Sequence, residues 1–144
     1  MADKTQSFQN HARWHPPFHF FLAPVSVILL ITAIVRLVRF PSIANGFVTL
    51  AALAGVVAVF TMRLYALKLQ DRLIRLEERL RLSQLLPEPL RSRIGELTED
   101  QLIALRFASD GEVSGLCEKA LSGKLHRKEI KQAIVTWKPD YWRV

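Results

Sequence analysis

Three histidines near the start of the chain are the residues whose spacing first suggests chemistry. His11, His15 and His19 lie four residues apart, and on one helix that spacing would align three imidazoles that could bind a metal ion or respond to pH. Pro16 and Pro17 lie among them, and proline interrupts a helix and favours extended geometry in the residue before it. We therefore predict no shared helical face, and a metal or pH-sensing site is the alternative interpretation.

An interfacial anchor is the preferred interpretation of the same stretch. Trp14, His15, Phe18 and His19 bring aromatic and imidazole rings close together in the sequence. Rings with apolar faces and polar edges favour the headgroup layer of a bilayer. The sequence predicts an N-terminal interfacial segment, with a helix entering the apolar layer at Pro17.

Other catalytic patterns are weaker still. Cys117 and His126 form the one thiol–imidazole candidate, but the helical spacing of Cys117 with nearby apolar residues predicts a core position. Glu77 and Glu78 fall among arginines on a predicted helix surface, where a solvated ion-pair face is expected. We expect no catalytic site, no cofactor and no bound metal, and we expect that the protein is not an enzyme. A single cysteine also excludes an internal disulfide and fits a reducing compartment.

Two long apolar segments dominate the first half of the chain. No Asp, Glu, Lys or Arg occurs between Phe20 and Val35, or from Asn45 to Met62. Roughly 20 apolar residues in a helix cross a hydrocarbon layer of about 30 Å, so each segment is long enough to span a membrane. A buried hairpin in a soluble protein and a cleaved signal peptide are the alternatives; the apolar run is too long for the second.

Positive charge is concentrated just after the second apolar segment. The formal net charge is +7, and residues 63–86 carry six basic against three acidic residues. Under the positive-inside rule that side is cytoplasmic, and two spans then place both termini there. We expect the bacterial inner (cytoplasmic) membrane, with the lipid bilayer as the first partner. The topology accounts for much of the basic character, which makes a nucleic-acid partner unlikely on charge alone.

Small residues mark a packing face on the second apolar segment. Ala51 and Gly55 are four residues apart, as are Ala54 and Ala58. Such pairs let helix backbones approach closely in lipid. The partner could be the first span, a second copy of the chain or a larger membrane complex.

The second helix is predicted to continue out of the membrane to Leu86, where Pro87 ends it. Apolar residues there repeat at spacings of 4-3-4-3-4, the heptad pattern of a coiled coil. They are Met62, Ala66, Leu69, Leu73, Leu76 and Leu80. The pairs Asp71–Arg75 and Glu77–Arg81 are expected to add ion pairs. We favour packing of this stalk on its own C-terminal residues over dimerisation.

Short amphipathic helices follow the stalk. Thr98 and Gln101 have the spacing of a capping box, Asp110 is placed to cap a second helix, and a last helix is predicted to run to Trp137. The last two helices loosely resemble a helix-turn-helix with a basic patch for an anionic partner, either nucleic acid or lipid. The patch residues are Lys124, Arg127, Lys128, Lys131 and Lys138.

The predicted fold is all-α: a two-span transmembrane helical hairpin whose long second helix continues into the cytoplasm, followed by a small C-terminal helical domain. Its parts are an interfacial segment at 1–17, a first span at 18–38, a short non-cytoplasmic loop at 39–44, a second span at 45–66, a stalk at 67–86 and a cytoplasmic domain at 87–144. The function expected is that of a non-enzymatic adaptor, scaffold or accessory subunit.

Three motifs carry a resemblance to a known family. They are "NHARWHPPFHFFLAP", "LTEDQLIALRFASDGEV" and "IKQAIVTWKPDYWRV". Together they resemble an uncharacterised bacterial family of short two-span inner-membrane proteins, and the similarity extends over nearly the whole chain. The resemblance implies two spans and a membrane location, and it implies no particular activity.

Overall fold

The fold is described by a computed structural model for residues 6–9 and 14–140. These residues form two compact units: a hairpin unit over 14–68, and a helical unit that combines 69–140 with 6–9. All regular elements in these ranges are helices, which confirms the all-α class. They are a π-helical segment Pro17–Leu22, α1 Ala23–Arg39, α2 Ile43–Leu85, a 3₁₀ helix Arg91–Glu96, α3 Glu99–Leu105, α4 Val113–Gly123 and α5 Arg127–Ala133.

The hairpin unit begins its helix at Pro17, as predicted. The prediction of extended geometry just before it is wrong at Pro16, which adopts a right-handed helical conformation with φ −55° and ψ −45°. The ring of a proline holds its own φ near −65°, which suits the start of a helix. At Pro16 this preference outweighs the tendency of a residue before a proline to be extended.

The two helices of the hairpin run antiparallel. Near their connection, Thr49 Oγ1 donates a hydrogen bond to the Ala33 carbonyl at 3.2 Å. At the far end, the rings of Phe18 and Phe60 meet edge to face at 5.8 Å. The predicted two-helix hairpin is therefore present in this unit.

Both helices of the hairpin are long and apolar enough to cross a membrane. The most apolar window of Pro17–Arg39 has a mean hydropathy of 2.5, and that of Ile43–Leu85 has 2.1. Only 6% and 0% of the residues in these windows are buried. A soluble protein buries the apolar window of a core helix, and these two helices differ from that pattern.

The end of α2 belongs to the core of the helical unit. Leu82 is fully buried and Leu86 is 1% exposed, and both join the apolar cluster of the short helices. The stalk therefore packs on its own C-terminal residues, as predicted. The helical unit of the structure begins at Leu69, within the predicted stalk.

The capping box that begins α3 is confirmed. Gln101 N–H donates to Thr98 Oγ1 at 3.2 Å, and Thr98 N–H donates to Gln101 Oε1 at 2.9 Å. The Gln101 amide also donates to the carbonyls of Ala120 and Leu125, both at 3.1 Å. One side chain thus begins α3 and ties it to the end of α4.

The predicted cap for α4 is wrong, because Asp110 pairs with Arg81 and the helix begins one residue after Glu112. Glu112 Oε1 instead accepts the Thr136 N–H at 3.1 Å and Oε2 accepts the Val135 N–H at 3.1 Å. Its carboxylate therefore fastens the chain after α5 to the start of α4.

The last helix is shorter than predicted. α5 ends at Ala133, Ile134 is extended, and Trp137 pairs with Ala108 in an isolated antiparallel bridge. Three consecutive β-branched residues, 134–136, have low helix propensity, and the Glu112 carboxylate takes two of their amide hydrogens. Trp137 still packs partly against the core, next to Phe107.

Candidate interaction surfaces of the second helix

The two faces of α2 in the helical unit have opposite surroundings. One face is buried and consists of Ile74, Glu78 and Leu82, of which Leu82 belongs to the apolar core of the short helices. The other carries the last four residues of the predicted heptad pattern, which we call the leucine seam. The seam residues and their exposed fractions are Leu69 at 69%, Leu73 at 54%, Leu76 at 56% and Leu80 at 58%. Self-packing and the heptad pattern therefore use different faces of α2, so the two are compatible.

A charged cluster fastens the buried face of α2 to the rest of the helical unit. Arg81 Nη1 donates to both carboxylate oxygens of Glu78, at 3.1 and 3.2 Å. Arg81 Nη2 donates to the Ala108 carbonyl at 2.7 Å and to Asp110 Oδ1 at 2.6 Å. One guanidinium thus joins α2 to the loop between α3 and α4, and Glu78 is 3% exposed rather than solvated as predicted.

Burial and pairing act in opposite directions on the two carboxyl groups of this cluster. Desolvation raises the pKa of Glu78 above its ordinary value of 4.5, and the Arg81 charge opposes that rise. The hydrogen bond from Arg81 lowers the pKa of Asp110 below 3.8. Asp110 is largely exposed, whereas the charge of the buried Glu78 is compensated first by Arg81 and to a smaller extent by Lys138.

The ion pairs predicted within the stalk are not the ones that form. Arg75 pairs with Glu99 of α3, and Arg81 pairs with Glu78 and Asp110. As a result Glu77 makes no ion pair with any residue that the structure describes, and the same holds for Arg72. Both are exposed, and they flank the leucine seam on its two sides.

A cavity of about 450 Å³ lies between α2 and the chain after α5. Its lining carries both signs of charge, with Arg106 and Lys138 on one side and Glu77 and Glu78 on the other. Asp140 also lines it and is joined to Arg106 across 3.5 Å. Such mixed charges largely neutralise one another, so the cavity shows no preference for an anion or a cation.

The four small residues predicted to form a packing face on the second apolar segment are all exposed. They are Ala51, Ala54, Gly55 and Ala58. A Cβ added at Gly55 would meet nothing within 4 Å. The helix instead meets α1 at Thr49, and Ala52 and Val56 are partly buried whereas the small residues are not. The first span is therefore not the partner of the small-residue face.

The predicted anchor residues form a compact aromatic group. The rings of Trp14 and His19 meet at 4.9 Å, and those of Phe18 and His19 meet at 5.1 Å. His19 Nδ1 lies 3.1 Å from the His15 amide nitrogen and 2.9 Å from the His15 carbonyl oxygen, so this ring is held against the backbone of the preceding turn. His11 lies outside the described residues. Among those described, no group of three or more His, Cys, Asp or Glu side chains could hold a metal ion.

The predicted basic patch is divided by the fold. Lys131 is 6% exposed, with its Nζ 5.1 Å from the centre of the Phe107 ring. Lys138 Nζ lies 3.7 Å from Asp110 Oδ1, and Arg127 Nη1 lies 3.5 Å from Asp100 Oδ1. The remaining members are Lys124, which follows α4 with a left-handed φ of 48°, and Lys128. The five cations therefore differ in their surroundings: Lys131 is buried, Arg127 and Lys138 lie near carboxylates, and Lys124 and Lys128 are exposed.

The single thiol lies where the sequence predicted it, in the core. Cys117 is fully buried, and desolvation raises its pKa to about 12. A thiol with that pKa remains protonated at neutral pH and is a poor nucleophile. His126, the proposed base, begins α5 at an exposed position. The thiol–imidazole pairing therefore lacks an accessible, ionisable nucleophile.

These features define the class as an all-α protein with two helices long and apolar enough to span a membrane, the second of which is also a core element of a helical unit. The sequence matches the model of the Family of unknown function (DUF6526) over residues 1–144. The chain belongs to that family. No curated protein and no solved structure matches it.

Proposed function

We propose that this protein is a membrane-anchored adaptor without catalytic activity. In this proposal the hairpin lies in a bacterial inner membrane with both termini in the cytoplasm, and α2 presents a binding face to a second copy of the chain or to another protein of that membrane. The exposed leucine seam is the observation that carries the proposal. Four leucines at heptad spacing, each more than half exposed, form an apolar stripe that water does not favour.

The membrane location is supported by the exposure of the apolar windows in both long helices. Lipid tails cover such surfaces without any protein partner. The orientation is supported by the excess of basic residues over 63–86. The seam begins only after the uncharged part of α2 has ended at Met62, so lipid tails are not expected to cover it.

The binding of nucleic acid or anionic lipid through the 124–138 segment is the less supported alternative. Lys131 is buried, Lys138 lies close to Asp110 and Arg127 lies close to Asp100, so three of the five cations of this segment are buried or paired within the chain. An adaptor function needs no such patch.

The proposal is tested with epitope-tagged full-length protein, extracted from the native host in mild detergent after crosslinking. A stoichiometric protein, either a second copy or another membrane protein, should be recovered and identified by mass spectrometry. The paired substitution Leu73→Lys and Leu76→Lys should abolish that recovery, because charge on the seam is costly to bury. The control Lys68→Glu changes an exposed residue off the seam and should leave recovery unchanged.

Equal recovery from the seam variant and the control would show that the seam is not the binding face. Recovery of no stoichiometric protein from the wild type would contradict the adaptor function as a whole. Protection of Cys117 from a thiol reagent shows in each variant that the helical unit remains folded, because this thiol is fully buried.

A further inference from the structure

We infer that the occupant of the leucine seam is a second copy of the same chain, held as a parallel, in-register two-stranded coiled coil. This inference rests on the proposed membrane-anchored function and names its partner. Two copies inserted in one membrane with the same orientation bring their α2 helices together in parallel. Heptad spacing is the pattern that a second α-helix covers.

The positions that α2 buries in its own chain are those a coiled coil leaves free. With Leu73 and Leu80 as heptad positions a, Leu69 and Leu76 are positions d. Ile74, Glu78 and Leu82 then fall at b, f and c. Positions b, c and f face away from the partner in a two-stranded coiled coil. The short helices of each copy therefore occupy the outer face of α2 and leave the seam accessible.

The charges beside the seam are complementary in this arrangement. Arg72 is at position g and Glu77 is at position e, five residues further on, which is the pair that meets across a parallel interface. Each dimer would contain two such pairs, one on each side. Neither side chain makes an ion pair within the described part of its own chain, so both are available.

The antiparallel arrangement is disfavoured by the same residues. There, position g faces position g of the partner, which would bring Arg72 and Arg79 together. The other flanking positions carry no charge and oppose neither arrangement. They are Gln70 and Gln84 at position e and Tyr65 at position g. Orientation therefore depends on the Arg72–Glu77 pairs.

The small residues of the second apolar segment extend the pattern by spacing. Ala51, Gly55, Ala58 and Met62 follow one another at intervals of four, three and four residues. The first three are exposed in the hairpin unit, and small residues are what close approach of two helices in lipid requires. The same second copy that covers the seam is thus a fitting partner for this face.

Cysteine crosslinking in native membranes tests the inference on the full chain. Leu73→Cys places a thiol at position a, where two copies in register bring their Cβ atoms close enough for a disulfide. Mild oxidation should give a crosslinked dimer as the main product. The matched control Lys68→Cys is also exposed on α2 but lies at position c, and should give at least about fivefold less dimer. The native Cys117 should not react, because it is buried.

Charge exchange tests the predicted pairing. In the Leu73→Cys background, Arg72→Glu or Glu77→Arg alone replaces two attractive pairs with two repulsive ones and should weaken dimer formation about tenfold. Combining both restores attraction with the signs reversed, and dimer formation should recover. This recovery would also show that the single variants had not failed through misfolding.

Two results would overturn the inference. One is a crosslinking yield at Lys68→Cys equal to that at Leu73→Cys, and the other is a double charge exchange that fails to restore the dimer. If the seam nevertheless captures a different protein in the pull-down with crosslinking, the adaptor proposal stands and the second-copy inference alone fails. If neither a copy nor another protein is recovered, both fail.

Discussion

Arg81 should be the charged residue on which the helical unit depends most. We consider Arg81→Met, which keeps the aliphatic chain and removes the guanidinium. The substitution deprives Glu78, 3% exposed, of the cation that hydrogen-bonds to it, and removes the donor that bonds to the Ala108 carbonyl at 2.7 Å. Removing one partner of a buried ion pair costs about 3–5 kcal/mol, because a buried charge remains uncompensated. The contribution of Asp110 is small, because its side chain is 61% exposed.

The assay uses the single cysteine. In full-length protein held in detergent, urea unfolding of the helical unit exposes Cys117, whose labelling by a thiol reagent then reports the unfolded fraction. Arg81→Met should lower the free energy of unfolding by about 3–5 kcal/mol. The control Asp110→Asn should lower it by less than about 1 kcal/mol.

A double variant separates the buried charge from the loss of packing. Glu78→Leu together with Arg81→Met replaces the ion pair with apolar side chains, an exchange that is often neutral or stabilising. It should therefore be more stable than Arg81→Met alone. The reasoning is refuted if Arg81→Met costs less than about 1 kcal/mol, or if the double variant is no more stable than the single one.

Three further predictions concern the same unit. Because burial raises the pKa of Glu78, its carboxyl group binds a proton more tightly in the folded state than in the unfolded state. The free energy of unfolding should therefore fall as pH rises from about 4.5 towards neutrality. The pH dependence of the urea midpoint should be weaker in Glu78→Gln. An unchanged slope would assign the effect to another group. Lys124→Gly should raise the free energy of unfolding by up to about 1 kcal/mol, because the left-handed φ of 48° suits glycine; a decrease would show that the lysine side chain makes a compensating contact. Gln101→Ala should lower it by about 2–3 kcal/mol, because the carbonyls of Ala120 and Leu125 lose their donors; a loss no greater than that of a surface alanine substitution would contradict this.

Helix periodicity and capping chemistry were sufficient to predict the parts of the fold that depend on neighbouring residues. The hairpin, the capping box at Thr98 and the stop after Leu85 are local in origin. The prediction that the last helix runs to Trp137 was wrong, although the β-branched residues at 134–136 are evident in the sequence. What shortened it was Glu112, whose carboxylate lies more than 20 residues away and binds that segment only after α4 and α5 have packed.

The candidate surfaces were less predictable, because apolar residues at helical spacing show that a helix face will be covered but do not show which part of the protein or which partner covers it. The leucine seam was visible as a heptad pattern, but the sequence did not show that Ile74 and Leu82 would be the residues buried by the short helices. Glu78 looked solvated for the same reason. The partner of Glu78 is Arg81 of the same helix, and Arg81 in turn is held by the Ala108 carbonyl and Asp110, two contacts with another part of the chain that the sequence does not show.

The sharing of α2 between the two units has a consequence for the order of synthesis. The ribosome completes Leu82 well before Ile130, which shares its core, so the inner face of α2 must wait uncovered while the short helices are made. During that interval Glu78 and Arg81 are exposed charges on an otherwise apolar face, where they favour hydration over premature aggregation. The completion of this core is therefore expected to wait until α5 has been synthesised.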